Sequence, residues 1–184
     1  YTVVPGCTDS NACNYMYEAN LDNESCIYYA DDCGVCDGKN INENNFYCPD
    51  VKFVEELKSL NPALFNGIDL YTIPNEFILW TEMNSIYRIT NINIIDNNYL
   101  NILPQAVSNL DALSWLVINN TNLYELPGTL CSLPNSTQIH LDNNYLCDEY
   151  YFSCITYWGF QDQSDCCIGY NNQGQLVPNW SQCP

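Results

Sequence analysis

Positive charge is nearly missing from this chain. Its 184 residues hold four basic side chains, Lys39, Lys52, Lys58 and Arg88, against 22 acidic ones, a formal net charge of -18. So acidic a surface repels phosphate, which argues against nucleic acid and anionic lipid as partners and leaves divalent cations as natural counter-ions. Histidine occurs once, as His140, and neither G-x-S-x-G nor H-E-x-x-H is present. His140 and Asp142 form a pair with no nucleophile to serve, so no catalytic set assembles and an enzyme is not expected. No apolar run reaches the roughly 18 residues that a membrane-spanning helix needs, so membrane insertion is not expected either. Cysteine is absent only from the middle: six (7, 13, 26, 33, 36, 48) crowd the first 48 residues, none falls between 49 and 130, and six (131, 147, 154, 166, 167, 183) fill the end.

An even, clustered dozen of cysteines reads as disulfides made in an oxidising compartment, so the chain is expected outside the cell or at its surface. Four sequons agree, at Asn23, Asn119, Asn135 and Asn179, each a candidate glycan acceptor. Starting at Tyr1 without an apolar leader, the chain looks like a mature or trimmed product. The cysteine map divides it into 1–48, a small disulfide-rich module; 49–146, carrying the apolar periodicity; and 147–184, a cysteine-rich cap and tail.

The stretch "IDNNYL" at 95–100 returns as "LDNNYL" at 141–146, 46 residues later, and "INNTNL" at 118–123 stands halfway, giving a period of 23. Apolar residues keep the same spacing in each unit: Leu113, Leu116, Ile118, Leu123, Leu126, Leu130 and Leu133 in the central one, with Thr121 where its neighbours carry Asn98 and Asn144. Over residues 90–146 this pattern resembles the leucine-rich repeat family. The resemblance implies an α/β solenoid, short strands stacked over one shared core. A degenerate earlier unit is "LYTIPNEF" at 70–77. Before it, Val51, Val54, Leu57 and Leu60 fall at helical spacing, with Asp50 available as N-cap and Asn61-Pro62 as stop, where the family carries an N-terminal cap. At the other end "LCDEYYFSCITYWGFQDQSDCC" resembles the family's cysteine-rich C-terminal cap. There Cys147, Cys154, Cys166 and Cys167 would pin the closing loop, and Phe152, Tyr157, Trp158 and Phe160 would plug the core. Cys131 and Cys183 are left to pair with each other or to reach another molecule.

The segment "GCTDSNACNYMYEANLDNESCIY" resembles a short cysteine-rich repeat of secreted and surface proteins, and "DDCGVCDGKN" an element that trails it. Together they cover 1 to about 48. This segment has little apolar material, so bridges must hold it. Asp9, Asn14, Asp22 and Glu24 offer hard oxygens that either ligate calcium or serve as solvated turn residues, since the calcium loop D-x-[DN]-x-[DN]-G is absent. Cys33-x-x-Cys36 reads as disulfide-forming rather than zinc-binding, with no histidine near it.

Laying the units in register at 23 residues puts Ile92, Trp115 and Gln138 in one ladder and Ile94, Val117 and His140 in the next. Strand alternation then exposes Ile92, Ile94, Trp115, Val117 and His140 as a partner-binding face, with Leu116, Ile118, Ile139 and Leu141 inside. A one-residue slip of the first unit would instead turn Ile92 and Ile94 inward. The expected role is structural: an extracellular glycoprotein that builds a surface layer, matrix or filamentous appendage. Its copies would meet through non-covalent contacts, "YTVVP" at the N-terminus adding as a strand to a neighbour. The other reading is a secreted recognition module that binds a protein or glycan on its concave face.

Overall fold

The structure is a computed structural model that describes residues 2–31, 33–35, 38–163 and 166, with the backbone of 168–170 and 176–178. Cys36, Cys167, Cys183 and Asn179 lie outside them. In chain order β1 (Pro5–Gly6) and β2 (Leu21–Asp22) form a short parallel pair, followed by one α-helix, α1 (Cys48–Leu60). Then come β3 (Ile78–Met83), β4 (Ile86–Asn97), β5 (Trp115–Thr121) and β6 (Gln138–His140), adjacent in that order in one sheet, and an antiparallel pair, β7 (Ile168–Tyr170) with β8 (Leu176–Pro178).

The expected α/β solenoid is overturned. Among the described residues one α-helix and open, mixed sheets of four and two strands, neither closed nor wound into a solenoid, fit that class poorly. The cause lies at the start of the main sheet. Asn84 and Ser85 both take positive φ, 54° and 65°, the backbone of a tight hairpin turn whose twist matches its strands. The segment after "LYTIPNEF" therefore folds back antiparallel as β3 against β4 instead of stacking as one more unit. In this sheet β4, β5 and β6 run parallel. Their returns are single 3-10 turns, at Gln105–Asn109 and Leu130–Ser132.

One interior nevertheless serves all of these elements. Leu116, Ile118, Ile139 and Leu141 are buried in the same cluster as Phe53, Val54 and Leu57 of α1 and Ile78, Ile89, Ile92 and Ile94 of β3 and β4. The helix buries a face that starts and ends on polar side chains, Asp50 and Asn61, both wholly inaccessible. Asp50 does not cap the helix as expected. Tyr47 is the N-cap, with no side-chain cap bond, and proline stands in the first turn. Asp50 instead turns inward, accepting from the Ile89 amide and from Arg88 Nε at 3.0 Å. Arg88 lies over the Tyr47 ring and also meets Asp111. At the other end Asn61 donates to the carbonyls of Leu57 and Ile102, both at 2.8 Å, and accepts from the amides of Asn101 and Ile102. Leu60, expected on the apolar face, is 46% exposed, because the buried stripe runs 50, 53, 54, 57, 61.

Disulfides join Cys7 to Cys26, Cys33 to Cys48, Cys131 to Cys154 and Cys147 to Cys166, and Cys13 is also disulfide-bonded. The first module is thus tied to α1 through Cys48. Cys131 pairs with Cys154, and so neither with Cys183 nor with another molecule, the two alternatives expected for it. The closing segment lies along β6, where His140 bridges to Tyr157 and Asn144 to Gln161. Gly159, at φ 66°, is required there, since a Cβ would meet the Asp142 carboxylate at 2.0 Å. Phe152 and Trp158 pack on the core as expected, whereas Tyr157 and Phe160 are exposed.

Candidate functional site

Which side chains reach the outer face of the main sheet is decided by a single residue. Asn91 pairs with Trp115, Asn93 with Val117 and Asn97 with Thr121, an offset of 24 residues, whereas Trp115 pairs with Gln138 and Val117 with His140, an offset of 23. Ile92 and Ile94, expected on the face, therefore point inward opposite Leu116 and Ile118 and are fully buried. Reversal of every side chain is what a one-residue shift does to a strand. Ile95 is displaced outward and is 41% exposed. Positive φ marks the same register at Asp96, Asn120 and Asn143 (55°, 54° and 56°). Those side chains form a ladder, Asn120 donating to Asp96 and Asn143 to Asn120. Thr121 and Asn144 are matched by Asn97, not Asn98. The extra residue of the first unit falls between Asn97 and Leu100.

Trp115, Val117 and His140 do reach the face. Trp115 is 44% exposed, its ring 5.6 Å from His140, and His140 is 5.8 Å from Tyr157, which the closing segment lays beside β6. Three aromatic rings thus run in a row across the strands. On the β4 side of Trp115 opens a cavity of about 400 Å³, lined by Asn75, Glu76, Leu79, Asn91, Asn93 and Val117 with the indole. Among the described residues Asn75, Glu76 and Asn91 make no side-chain hydrogen bond, and Asn93 makes one long one to the Glu76 carbonyl, at 3.4 Å. Composition did not point to these four residues or to Tyr157. The asparagines of β4 become legible only once the slip is known, and Tyr157 only once the last segment is placed.

Comparison with protein-family models, with curated proteins and with solved structures gives no match. The chemistry of the face is then the guide to its use.

Of the four residues expected to hold calcium, Asp9, Asn14 and Asp22 have side-chain oxygens engaged in turns. Asp9 Oδ1 accepts from the amide and side chain of Asn11, and its Oδ2 from the Tyr28 hydroxyl. Asn14 links the Ser25 carbonyl to the Ile27 amide, Asp22 accepts from the Glu24 amide, and Glu24 itself stands at φ 62°. Among the described residues no three His, Cys, Asp or Glu side chains gather into one cluster. The "YTVVP" segment is also engaged, with Val4 and Thr2 bonded to Asn20. Asn23 and Asn135 are exposed. Asn119 is half-buried, its side-chain oxygen taken by the Asp142 amide and its sequon Thr121 buried against Asn144, an arrangement that disfavours a glycan there.

These turns give the first module a pH signature. The Asn11 amide and the Tyr28 hydroxyl hold Asp9 below its ordinary value of 3.8. Partial desolvation pushes Asp31 up, but the amides of Val35, Asn40 and Cys33 outweigh it and leave Asp31 lowered as well. A depressed carboxylate supports the fold above its unfolded pKa and loses that support as pH falls through the folded one. The amide resonances of Asn11, Cys33, Val35 and Asn40 are therefore expected to shift together below a pH of about 3.8, while those of β5 and β6 stay in place. Simultaneous loss of both sets on acidification would refute a separate response of this module.

Proposed function

We propose that the protein is an extracellular binding module that holds a partner, a protein or a glycan, on the outer face of β3 to β6. The observation that carries this is the Trp115–His140–Tyr157 row beside a cavity in which, among the described residues, the side chains of Asn75, Glu76 and Asn91 have no hydrogen-bond partner. An exposed indole amid unspent polar groups is characteristic of a contact surface. The extracellular part is supported by the four described disulfides, by the sequons at Asn23 and Asn135, and by the resemblance of residues 6–48 to repeats of secreted proteins. Among the described residues no helix is long and apolar enough to cross a membrane.

A second reading, the self-associating block of a surface layer, matrix or filament, draws support from other features. Tyr17, Tyr151 and Phe160 are exposed at 87%, 66% and 68%, and β3 is an edge strand of the sheet, a place where another chain can pair. Size-exclusion chromatography with light scattering separates the two. The chain is expected to elute as a monomer, with Trp115→Ala and added chelator leaving the profile unchanged. An oligomer that Trp115→Ala dissolves would replace the binding-module reading with the building-block one.

A further inference from the structure

Resting on that reading of the face, we infer that its ligand is an uncharged, β-linked oligosaccharide seated with one ring on Trp115. The lining of the cavity disfavours the other ligand classes in turn. An anion finds no lysine or arginine there and meets a chain of net charge -18. An apolar peptide anchor would bury the carboxamides of Asn75, Asn91 and Asn93 without partners, which is costly. A cationic side chain finds one carboxylate, Glu76, and that one is exposed, whereas three carboxamides surround it. Carboxamides both donate and accept, which is what a ring of hydroxyl groups requires.

The shape agrees. A pyranose whose substituents are equatorial presents a flat face of C–H bonds and a rim of hydroxyls. The flat face matches the exposed indole, and the rim lies within the ring of Asn75, Glu76, Asn91 and Asn93. A β-linked chain of such rings is a straight ribbon. The aromatic row continues in one direction, from Trp115 over His140 to Tyr157, with ring centres 5.6 and 5.8 Å apart and planes inclined at 65° and 55°, so Trp115 offers the stacking face and the next two rings flank the chain beyond it. These side chains come from β5, β6 and the closing segment, so the seat lies across the strands on rigid sheet, where little needs ordering when a ligand binds. At about 400 Å³ the cavity is of a size to hold a terminal sugar unit and its substituents.

Isothermal titration calorimetry on the full chain tests this with four probes: cellohexaose, chitohexaose, an oligogalacturonate and hexalysine. One of the two uncharged oligomers is expected to bind with a stoichiometry of one, and the two charged probes not to bind. Trp115→Ala is expected to weaken binding by at least about tenfold and Trp115→Phe by only a few-fold, since a phenyl ring retains a stacking face. Asn91→Ala is expected to weaken it several-fold. Trp115 is outside the core, and an unchanged melting temperature would show each variant to be folded. Failure of both uncharged oligomers to bind, or binding indifferent to Trp115→Ala, would overturn the sugar assignment. Hexalysine binding that Trp115→Ala abolishes would also overturn it, while leaving the face standing as a binding site for a basic partner.

Discussion

Replacing Arg88 by methionine is expected to cost about 3–5 kcal/mol of folding stability, the range for removing one partner of a buried ion pair. Asp50 is fully inaccessible, and burial pushes its carboxyl above the ordinary range even though Arg88 and the Ile89 amide pull it down. Without Arg88 the burial cost is no longer offset, and the lost stacking on Tyr47 adds to the deficit. The sign of the pH dependence follows. A carboxyl whose folded pKa lies above its unfolded one favours the folded state most below the unfolded value and loses that advantage as pH rises through the folded value. The deficit of Arg88→Met is therefore largest at neutral pH and smaller at an acidic one, since protonating Asp50 removes the uncompensated charge. Chemical denaturation at the two pH values, with disulfides intact, measures it. The double variant Asp50→Asn, Arg88→Met is expected to recover much of the loss, since a neutral amide replaces the unpaired charge. A single variant within about 0.5 kcal/mol of the parent would mean that water reaches Asp50.

The same pair shows where the sequence was legible and where it was not. Helical spacing of Phe53, Val54 and Leu57 located α1, but pattern alone assigned Asp50 to a cap, because an aspartate before an apolar run ordinarily satisfies amides at a helix start. Its actual partners, Arg88 and the Ile89 amide, are 38 and 39 residues away, and no local rule reaches them. The 23-residue repeat fared similarly. It located three parallel strands and the inward set Leu116, Ile118, Ile139 and Leu141. It misjudged the first unit because "IDNNYL" and "LDNNYL" share letters but not register: Leu141 is buried and Ile95 is exposed. Tertiary pairing decided there, through a residue added after Asn97. The solenoid itself failed on two turn residues, Asn84 and Ser85, whose backbone turns β3 antiparallel.

For the candidate site the consequences differ residue by residue. Trp115, Val117 and His140 were legible because β5 and β6 follow the period. Ile92 and Ile94 were exchanged for Asn91 and Asn93, which changes the chemistry of the face from an apolar patch to an amide-lined one. Disulfide partners were beyond reach, since clustering limits which cysteines pair but not how. Cys131 with Cys154 and Cys147 with Cys166 both hold the segment that carries Tyr157 to the face.

Asn61→Leu is the second change expected to be severe, although leucine matches asparagine closely in size and suits a helix better. The Asn61 side chain uses all of its capacity, two donors and two accepting lone pairs, on Leu57, Asn101 and Ile102. Leucine would leave the amides of Asn101 and Ile102 and the carbonyl of Ile102 facing an apolar group. An unsatisfied buried polar group costs about 1–3 kcal/mol. Partial relaxation of the half-buried 101–102 loop towards solvent reduces the sum, so a loss of about 3 kcal/mol is expected. The adjacent Leu60→Ala, exposed, should stay within about 0.5 kcal/mol of the parent and serves as the control for helix propensity. Amide hydrogen exchange locates the damage. Asn101 and Ile102 should lose protection first, because the Asn61 side chain hydrogen-bonds the C-terminal end of α1 to the turn leaving β4, just as Asp50 ties its N-terminal end to the strand itself. Protection retained at both amides in Asn61→Leu would show that α1 is held to the sheet by its apolar stripe, with the polar ends contributing little.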